Sequence, residues 1–481
     1  MNQIPIRIYL KKIGLCSAMV FLLANCGIDN SKPKGKEKPN IIFIMVDQMN
    51  ADAVSAYGNK YIETPAIDRL AKGGANFTNA YCSQPICGPS RASMITGTMP
   101  NRNKSVLNVP PGGHKLYQQQ WLGDLVKNQG YETAYFGKWH INVGIGESEV
   151  HGFETIDHTS GNGIDSLVVA SAKAFLSKAH TDPFFLVVSI NNPHNICEWA
   201  RGTRGTELPD GVIPEPPSAA ECPPLPDNFM PMENEPAFIR AFQNQNPRVF
   251  PTKDWDKAQW RKYIWAYYRF IELADSRIGN VLDALDNSAY NENTLIVFTS
   301  DHGDGAAEHG WNQKSILFEN AIKVPFIVYP PKKDYHKYSS HSELVSIGID
   351  ILPTILDFVG GGMDATAFQG KSVKPIVLAG TEDKNEWREK LVVEMTLGVK
   401  DQLFGVEGRA LRYKDYKYIL YKEDNGLEHE LLFNLVEDPG EMNNLAESSQ
   451  HLKILKDSRV MLKDWCNQQM DDFCDKVNAT P

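Results

Sequence analysis

The residues of this chain that could do chemistry are a cysteine at a helix start and several polar clusters that close apolar runs. The segment Cys87-Gly88-Pro89-Ser90-Arg91 continues into Ala92-Ser93-Met94-Ile95-Thr96-Gly97. Pro89 and Ser90 suit the first turn of a helix, whose unpaired amides favour an anion. A cysteine in that place has a lowered thiol pKa, so a thiolate nucleophile is one reading. A structural cysteine in a helix-entry loop is the other. The remaining clusters are Asp47-Gln48, Gly137-Lys138-Trp139-His140, Asn191-Asn192-Pro193-His194 and Ser300-Asp301-His302-Gly303, with Lys314 further on. Taken singly they are plain: an aspartate at a strand end caps or faces water, a histidine beside a tryptophan packs, and a lone lysine lies on the surface.

Their placement changes that reading. Asp47 follows an apolar run over 41–46, Gly137 one over 133–136, Asn191 one over 184–190, and Ser300 one over 294–299. Continuous apolar runs read as strands buried on both faces, the habit of parallel sheets covered by helices. Such sheets bind ligands beyond the carboxyl ends of their strands, so four clusters there converge on one crevice. Helical periodicity over 120–129, 260–285 and 347–359 and a further strand over 324–329 complete an α/β layer. Residues 202–251, rich in proline and polar side chains, read as a long surface excursion near the crevice. Beyond about residue 385 the pattern changes to short antiparallel strands over 391–394, 410–412 and 416–420, then a helix over 452–469. The expected organisation is a leader over 1–25, a tether over 26–38, a catalytic domain over 39–384 and a smaller subdomain over 385–481.

Cys87-Gly88-Pro89-Ser90-Arg91 resembles the signature of the formylglycine-dependent sulfatases, of the alkaline phosphatase superfamily, and the other clusters resemble that family's motifs in the same order. So do the helix from Ala266-Tyr267-Tyr268 to Ile278-Gly279, the segment Asp350-Ile351-Leu352-Pro353-Thr354, and the closing segment Leu432-Phe433-Asn434-Leu435 with Asp438-Pro439. The resemblance covers nearly the whole mature chain. It implies a large, mostly parallel sheet between helices with a smaller C-terminal antiparallel sheet plus helix. It also implies hydrolysis of a sulfuric ester, with Cys87 oxidised to formylglycine (3-oxoalanine) by a sulfatase-maturating enzyme. Metal ligands would be Asp47, Gln48, residue 87, Asp301 and His302. Gln48 stands where many members have a second aspartate, and His302 where many have asparagine; Gln48 ligates through its carbonyl or not at all. One divalent ion is implied, calcium first because it prefers oxygen ligands, with manganese or another ion open. In the family's scheme a hydroxyl of hydrated residue 87 attacks sulfur. Arg91, Lys138 and Lys314 balance the charge, His194 or Lys314 protonates the leaving oxygen, and His140 takes the second hydroxyl's proton. Phosphonate monoester hydrolases and phosphodiesterases of the same superfamily are the alternative, together with choline or aryl sulfatases; Lys138 and His140 speak for a sulfatase.

Composition sets the frame for these readings. The chain has 481 residues, 42% of them hydrophobic and 22% charged, and a formal net charge of −10. The anionic balance excludes nucleic acid as the expected partner and requires a local cationic pocket to draw in a sulfated carbohydrate such as ulvan or a glycosaminoglycan fragment. Glu198, Trp199 and Arg201 lie where contacts to the leaving group could arise. Arg7, Lys11 and Lys12 precede an apolar run over 13–24 that is too short for a comfortable membrane span. It ends Leu23-Ala24-Asn25-Cys26, which resembles a bacterial lipobox despite Asn25, so Cys26 is the expected lipidation site; a plain secretory leader is the other reading. Export to the periplasm or the outer cell surface, with the membrane touched only through the lipid, permits disulfides. Cys197 with Cys222 and Cys466 with Cys474 are the candidate pairs.

Overall fold

The alternation of side chains along the central strands decides the architecture. In β1 (Asn40–Asp47), Ile41, Phe43 and Met45 join one core while Ile42, Ile44 and Val46 join another, so both faces of the strand are dry. This computed structural model describes residues 38–475 except 110–115, 117, 158–163, 204–211, 335–338, 361–367, 380–386 and 400–401. The leader, Cys16, the lipobox with Cys26, and all but the last residue of the tether lie outside the described residues.

Seven further strands join β1: β2 (Ala75–Tyr81), β3 (Glu132–Gly137), β4 (Thr155–Ile156), β5 (Phe184–Pro193), β6 (Thr294–Ser300), β7 (Phe326–Tyr329) and β8 (Ser339–Ser346). Their order across the sheet is β4-β3-β5-β1-β6-β7-β2-β8. All pairings are parallel except those of β7, which runs antiparallel to both β6 and β2. The registers Val46 with Ser300, Asp47 with Pro193, and Gly137 with Ser189 bring the carboxyl ends of β1, β6, β5 and β3 to one level. Helices Asp165–Leu176 and Lys257–Asp286 pack on one face; Cys87–Thr96 and Ile347–Val359 pack on the other.

A four-stranded antiparallel sheet follows, with β9 (Lys390–Val399), β10 (Gln402–Tyr413), β11 (Tyr416–Glu423) and β12 (Glu428–Asn434). Val393, Met395, Ala410, Ile419 and Phe433 face the same core as β1, whereas Val392, Leu411, Tyr418 and Leu432 face the terminal helix Leu452–Gln469. One face of the smaller sheet therefore completes the larger one's core. The expected fold class is the one observed. Strands β2, β8 and β12 lack the long apolar runs by which strands were read, so the sequence did not announce them. Of the candidate cysteine pairs, Cys466–Cys474 forms a disulfide. Cys197 and Cys222 are both free and buried, which corrects the expectation for that pair; the Cys197 thiol packs against the Gln48 amide instead.

Candidate active site

Asp47, Lys138, His194 and Asp301 arrive at the crevice because each follows the carboxyl end of a strand or closes it. Gly137 makes the exit from β3 possible: its φ is +107°, and a Cβ there would lie 1.9 Å from the Ser189 carbonyl oxygen. The strand ends are then tied together, with Lys138 N donating to the Ser189 carbonyl at 3.0 Å and Ser189 Oγ donating to the Lys138 carbonyl at 2.7 Å.

Cys87 is the first residue of the buried helix Cys87–Thr96, after Ile86 in extended conformation. Asn108 Oδ1 accepts from Gly88 N at 2.8 Å, and Ser90 Oγ donates to the Asp301 carbonyl at 2.6 Å, so the helix start is fixed to the end of β6. One turn on, Arg91 occupies the same helix face. Its Nε donates to Asp301 Oδ2 at 2.7 Å, its Nη2 to Asp47 Oδ2 at 3.2 Å, and its Nη1 to the Lys138 carbonyl and Ser189 Oγ at 2.8 Å each. Arg91 is fully buried. Its guanidinium clamps the carboxylates of Asp47 and Asp301.

Above it lie the thiol, two carboxylates and an imidazole. Asp47, Cys87, Asp301 and His302 each offer one ligand atom, all within 4.8 Å of one another. His302 Nδ1 donates to the Gly303 carbonyl at 2.8 Å, which leaves Nε2 to face Cys87 Sγ at 3.2 Å and Asp301 Oδ1 at 3.5 Å. That hydrogen bond sets the tautomer a metal-ligating histidine needs. Burial and the charge of Asp47 push the Asp301 carboxyl up, although His302 and Arg91 oppose them. Asp47 goes the other way: against its burial, Lys138, Lys314, His194 and Arg91 hold it well below its ordinary value. Two buried carboxylates beside a thiol carry more negative charge than two neighbours tolerate, and a cation among them relieves the conflict. The residues present therefore fit a divalent ion.

Lys314 comes from the loop after β6. Its Nζ donates to Cys87 Sγ at 3.1 Å and to Gln48 Oε1 at 2.8 Å. Lys138 Nζ pairs with Asp47 Oδ2 at 2.7 Å. Burial and Asp47 oppose ionisation of Cys87, but Lys314, Lys138 and His302 outweigh them and hold the thiol well below its usual range. Gln48, with φ +72°, gives its Nε2 to Asp304 Oδ2 at 2.6 Å, so its carbonyl must turn towards Lys314. Asp304 also accepts from Tyr263 Oη at 2.9 Å and from Gln313 N at 3.1 Å. The hold of Asp304 on Gln48, and the part of Tyr263, Ser189 and Asn108, went unread in the sequence. The Tyr263 side chain belongs to a helix whose distance in sequence from Gln48 gives no signal of contact.

The crevice opens into a cleft of about 490 Å³ whose lining includes Cys87, His140, His194 and Lys314. His140 is exposed at its mouth with φ +51°. His194 Nδ1 lies 3.7 Å from Glu198 Oε2, and Arg201 Nη1 pairs with Glu198 Oε1 at 3.0 Å. Burial, with Lys138 and Lys314, lowers the His194 pKa, against Asp47 and Glu198. The excursion predicted over 202–251 contributes the helix Ala237–Gln245 and the turn after it to the cleft wall.

The sulfatase family model matches residues 39–361, and the model for the C-terminal part of N-sulphoglucosamine sulphohydrolase matches residues 307–468. The chain is 31% identical over 478 residues to the Delta 4,5-hexuronate-2-O-sulfatase of Bacteroides thetaiotaomicron, covering 95% of each. Among solved structures it is similar to a 2-O GAG sulfatase at 30% identity and a TM-score of 0.78, covering 92% of this chain and 96% of that one. The phosphonate monoester hydrolase of Agrobacterium radiobacter, at 19% identity and a TM-score of 0.69 over 90% of this chain and 96% of that one, shares the fold alone. The matched span contains every strand end that meets at the crevice, and on that ground the chain belongs to the sulfatase family, hydrolases of sulfuric esters.

Proposed function

We propose that the protein removes sulfate from a sulfated carbohydrate, a polysaccharide or its oligosaccharides such as ulvan or glycosaminoglycan fragments. In this reading Cys87 is oxidised to formylglycine by a sulfatase-maturating enzyme, and one divalent ion is held by Asp47, Asp301, His302 and residue 87. The observation that carries it is the gathering of those four side chains within 4.8 Å at the start of the Cys87 helix. Calcium suits the set best, because three of the four donors are oxygens once residue 87 is oxidised, and the Gln48 carbonyl stands beside them. When bound, the ion supplies Lewis-acid charge to the sulfuryl group and to the oxygen of residue 87.

The chain's own residues do the rest. Cys87 Sγ marks the place from which an oxygen of the oxidised side chain projects. Lys314, 3.1 Å from that atom, and Lys138, 2.7 Å from Asp47, supply positive charge where sulfuryl oxygens gather it. Against its burial, Lys314 is kept protonated by Cys87, Asp47, Cys197 and Asp301, of which the aspartates remain after oxidation. Lys314 or His194, both in the cleft lining, is the donor to the leaving oxygen. His140, at the mouth, takes the proton whose loss frees sulfate and restores the aldehyde. Glutamine at 48 and arginine at 91 orient: one presents a carbonyl to Lys314, the other clamps both carboxylates.

The wider expectations fit this reading. Residues 39–384 carry the chemistry and 385–481 close the cleft, to which Gly398 and Val399 contribute. The Cys466–Cys474 disulfide favours an oxidising compartment, in keeping with export behind a leader over 1–25 and a lipid anchor at Cys26. No described helix is long and apolar enough to cross a membrane.

The test is the mass of the tryptic peptide that contains residue 87, from protein made with a sulfatase-maturating enzyme, beside sulfate release by wild type and Cys87→Ala. A formylglycine mass with turnover lost by at least about a thousandfold in the variant is expected, as for removal of a covalent nucleophile. An unmodified thiol in an active enzyme overturns the formylglycine chemistry. Preference for an aryl phosphonate over an aryl sulfate overturns the assignment of substrate.

A further inference from the structure

The cleft is cationic in a protein that is not. Against a formal net charge of −10, its described lining contains Arg201, Arg248, Lys314, His140 and His194 and no aspartate or glutamate. Sulfate chemistry at residue 87 accounts for Lys314, which contacts Cys87, and for the histidines that line the cleft with it. Arg201 is engaged elsewhere: its Nη1 is on Glu198 at 3.0 Å and its Nε donates to the Arg248 carbonyl at 3.0 Å. Arg248 is left over. Its side chain is exposed, and among the described residues no acidic group or hydrogen-bond acceptor engages its guanidinium.

The backbone that carries Arg248 is held on three sides. Val249 N and Phe250 N both donate to the Asn246 carbonyl at 2.9 Å, closing a turn directly after the helix Ala237–Gln245. Arg201 fixes the Arg248 carbonyl to the helix Ile196–Ala200, which follows His194. Phe250 packs on Trp311 with ring centroids 4.5 Å apart, and Asn312 bonds to Thr252, which ties the turn to the loop that delivers Lys314. An unpaired guanidinium on a turn braced against both walls of a site costs little ordering when an anion arrives. A planar fork of donors matches the two oxygens of a carboxylate or sulfate.

Resting on the sulfatase reading above, we infer that Arg248 is a specificity-determining residue, which binds a second anionic group on the leaving alcohol. The substrate class is then a sulfate ester of an acidic sugar, in which a carboxylate or another sulfate lies within one cleft of the ester being cut. The apolar Leu107, Phe250 and Val399 in the same lining offer surface to the sugar's carbon face.

The test compares two matched pairs of substrates on the formylglycine-bearing enzyme and its Arg248→Ala, Arg248→Lys and Arg248→Glu variants. One pair is a sulfated uronate disaccharide and its methyl ester; the other is a disulfated hexosamine and the monosulfated form. Wild type should prefer the more anionic member, and Arg248→Ala should cut that preference in kcat/KM by about tenfold, the size of one partly desolvated ion pair. Arg248→Lys should keep much of it, Arg248→Glu should reverse it, and added salt should erode it in wild type. Loss confined to the first pair identifies the anion as carboxylate, and loss confined to the second identifies it as sulfate. An unchanged ratio in both pairs, with 4-nitrophenyl sulfate still hydrolysed, overturns the role of Arg248 alone. Failure of wild type to hydrolyse any of these esters, 4-nitrophenyl sulfate included, overturns the sulfatase reading beneath it as well.

Discussion

Arg91 shows how much of a single side chain's part is legible in sequence and how much its neighbours decide. Its presence four residues after Cys87 marks the helix, and a helix puts both on one face. Which way its charge points is decided elsewhere, by Asp301 at 2.7 Å and Asp47 at 3.2 Å, both fully buried. Replacing it leaves two carboxylates buried without their partner. Arg91→Met should therefore destabilise the metal-free protein by about 3–5 kcal/mol, the usual cost of breaking a buried ion pair by removing one side. Urea unfolding of the chelator-treated protein measures it; a loss below about 1 kcal/mol, the scale of a surface pair, would show that the clamp does not hold the site together.

At the scale of elements, the loop from Gly303 to Lys323 matters most, because one stretch carries Asp304, Lys314 and Glu319. Its ends are anchored by Gly303 N on the Ala321 carbonyl at 2.9 Å and by Lys417, which donates to Glu319 Oε1 at 3.1 Å and the Leu317 carbonyl at 2.9 Å from the smaller sheet. Asp304 accepts from Gln48, Tyr263, Ala306 and Gln313, so all four donors rely on one carboxylate. Asp304→Asn turns at least one acceptor into a donor and strands a buried partner, at about 1–3 kcal/mol. Because the Gln48 carbonyl loses its enforced direction, kcat should fall by about tenfold or more. Tyr263→Phe should lower stability with little loss of kcat, and equal losses of kcat in both variants would refute the orienting role of Gln48. The strands that carry the crevice were legible as apolar runs, yet the register that levels Asp47 with Pro193 was not, since registers depend on partners far along the chain.

Across the whole molecule, the smaller sheet is part of the catalytic body. Glu394 on β9 is buried and accepts from Asn101 N at 2.7 Å, just beyond the Cys87 helix. Burial, with Asp471 nearby, outweighs Arg409 and raises its pKa from 4.5 to about 7. A carboxyl raised on folding holds a proton that the unfolded chain releases, so stability is fullest below the ordinary value and falls as pH rises through the folded one. Stability should drop by roughly 3 kcal/mol between pH 4.5 and pH 8 from this group. Glu394→Gln should flatten that part of the profile in urea titrations at a series of pH values. A slope unchanged by the substitution would assign the pH dependence to other carboxyls.

The sequence by itself determined the family, the strands that end at the crevice and the residue types that meet there. These are local: an apolar run makes a buried strand, and a polar cluster at its end needs no partner to be seen. It also determined the terminal helix, expected near 452–469 and observed as Leu452–Gln469. Tertiary structure alone decided that Arg91 clamps Asp47 and Asp301, that Gln48 is turned by Asp304, that Cys197 packs on Gln48, and that Arg248 stands unpaired in the cleft wall. Each depends on groups that are distant along the chain and close in space. Hydrogen-bond direction and charge compensation are set by those neighbours, and no pattern of residue types encodes them.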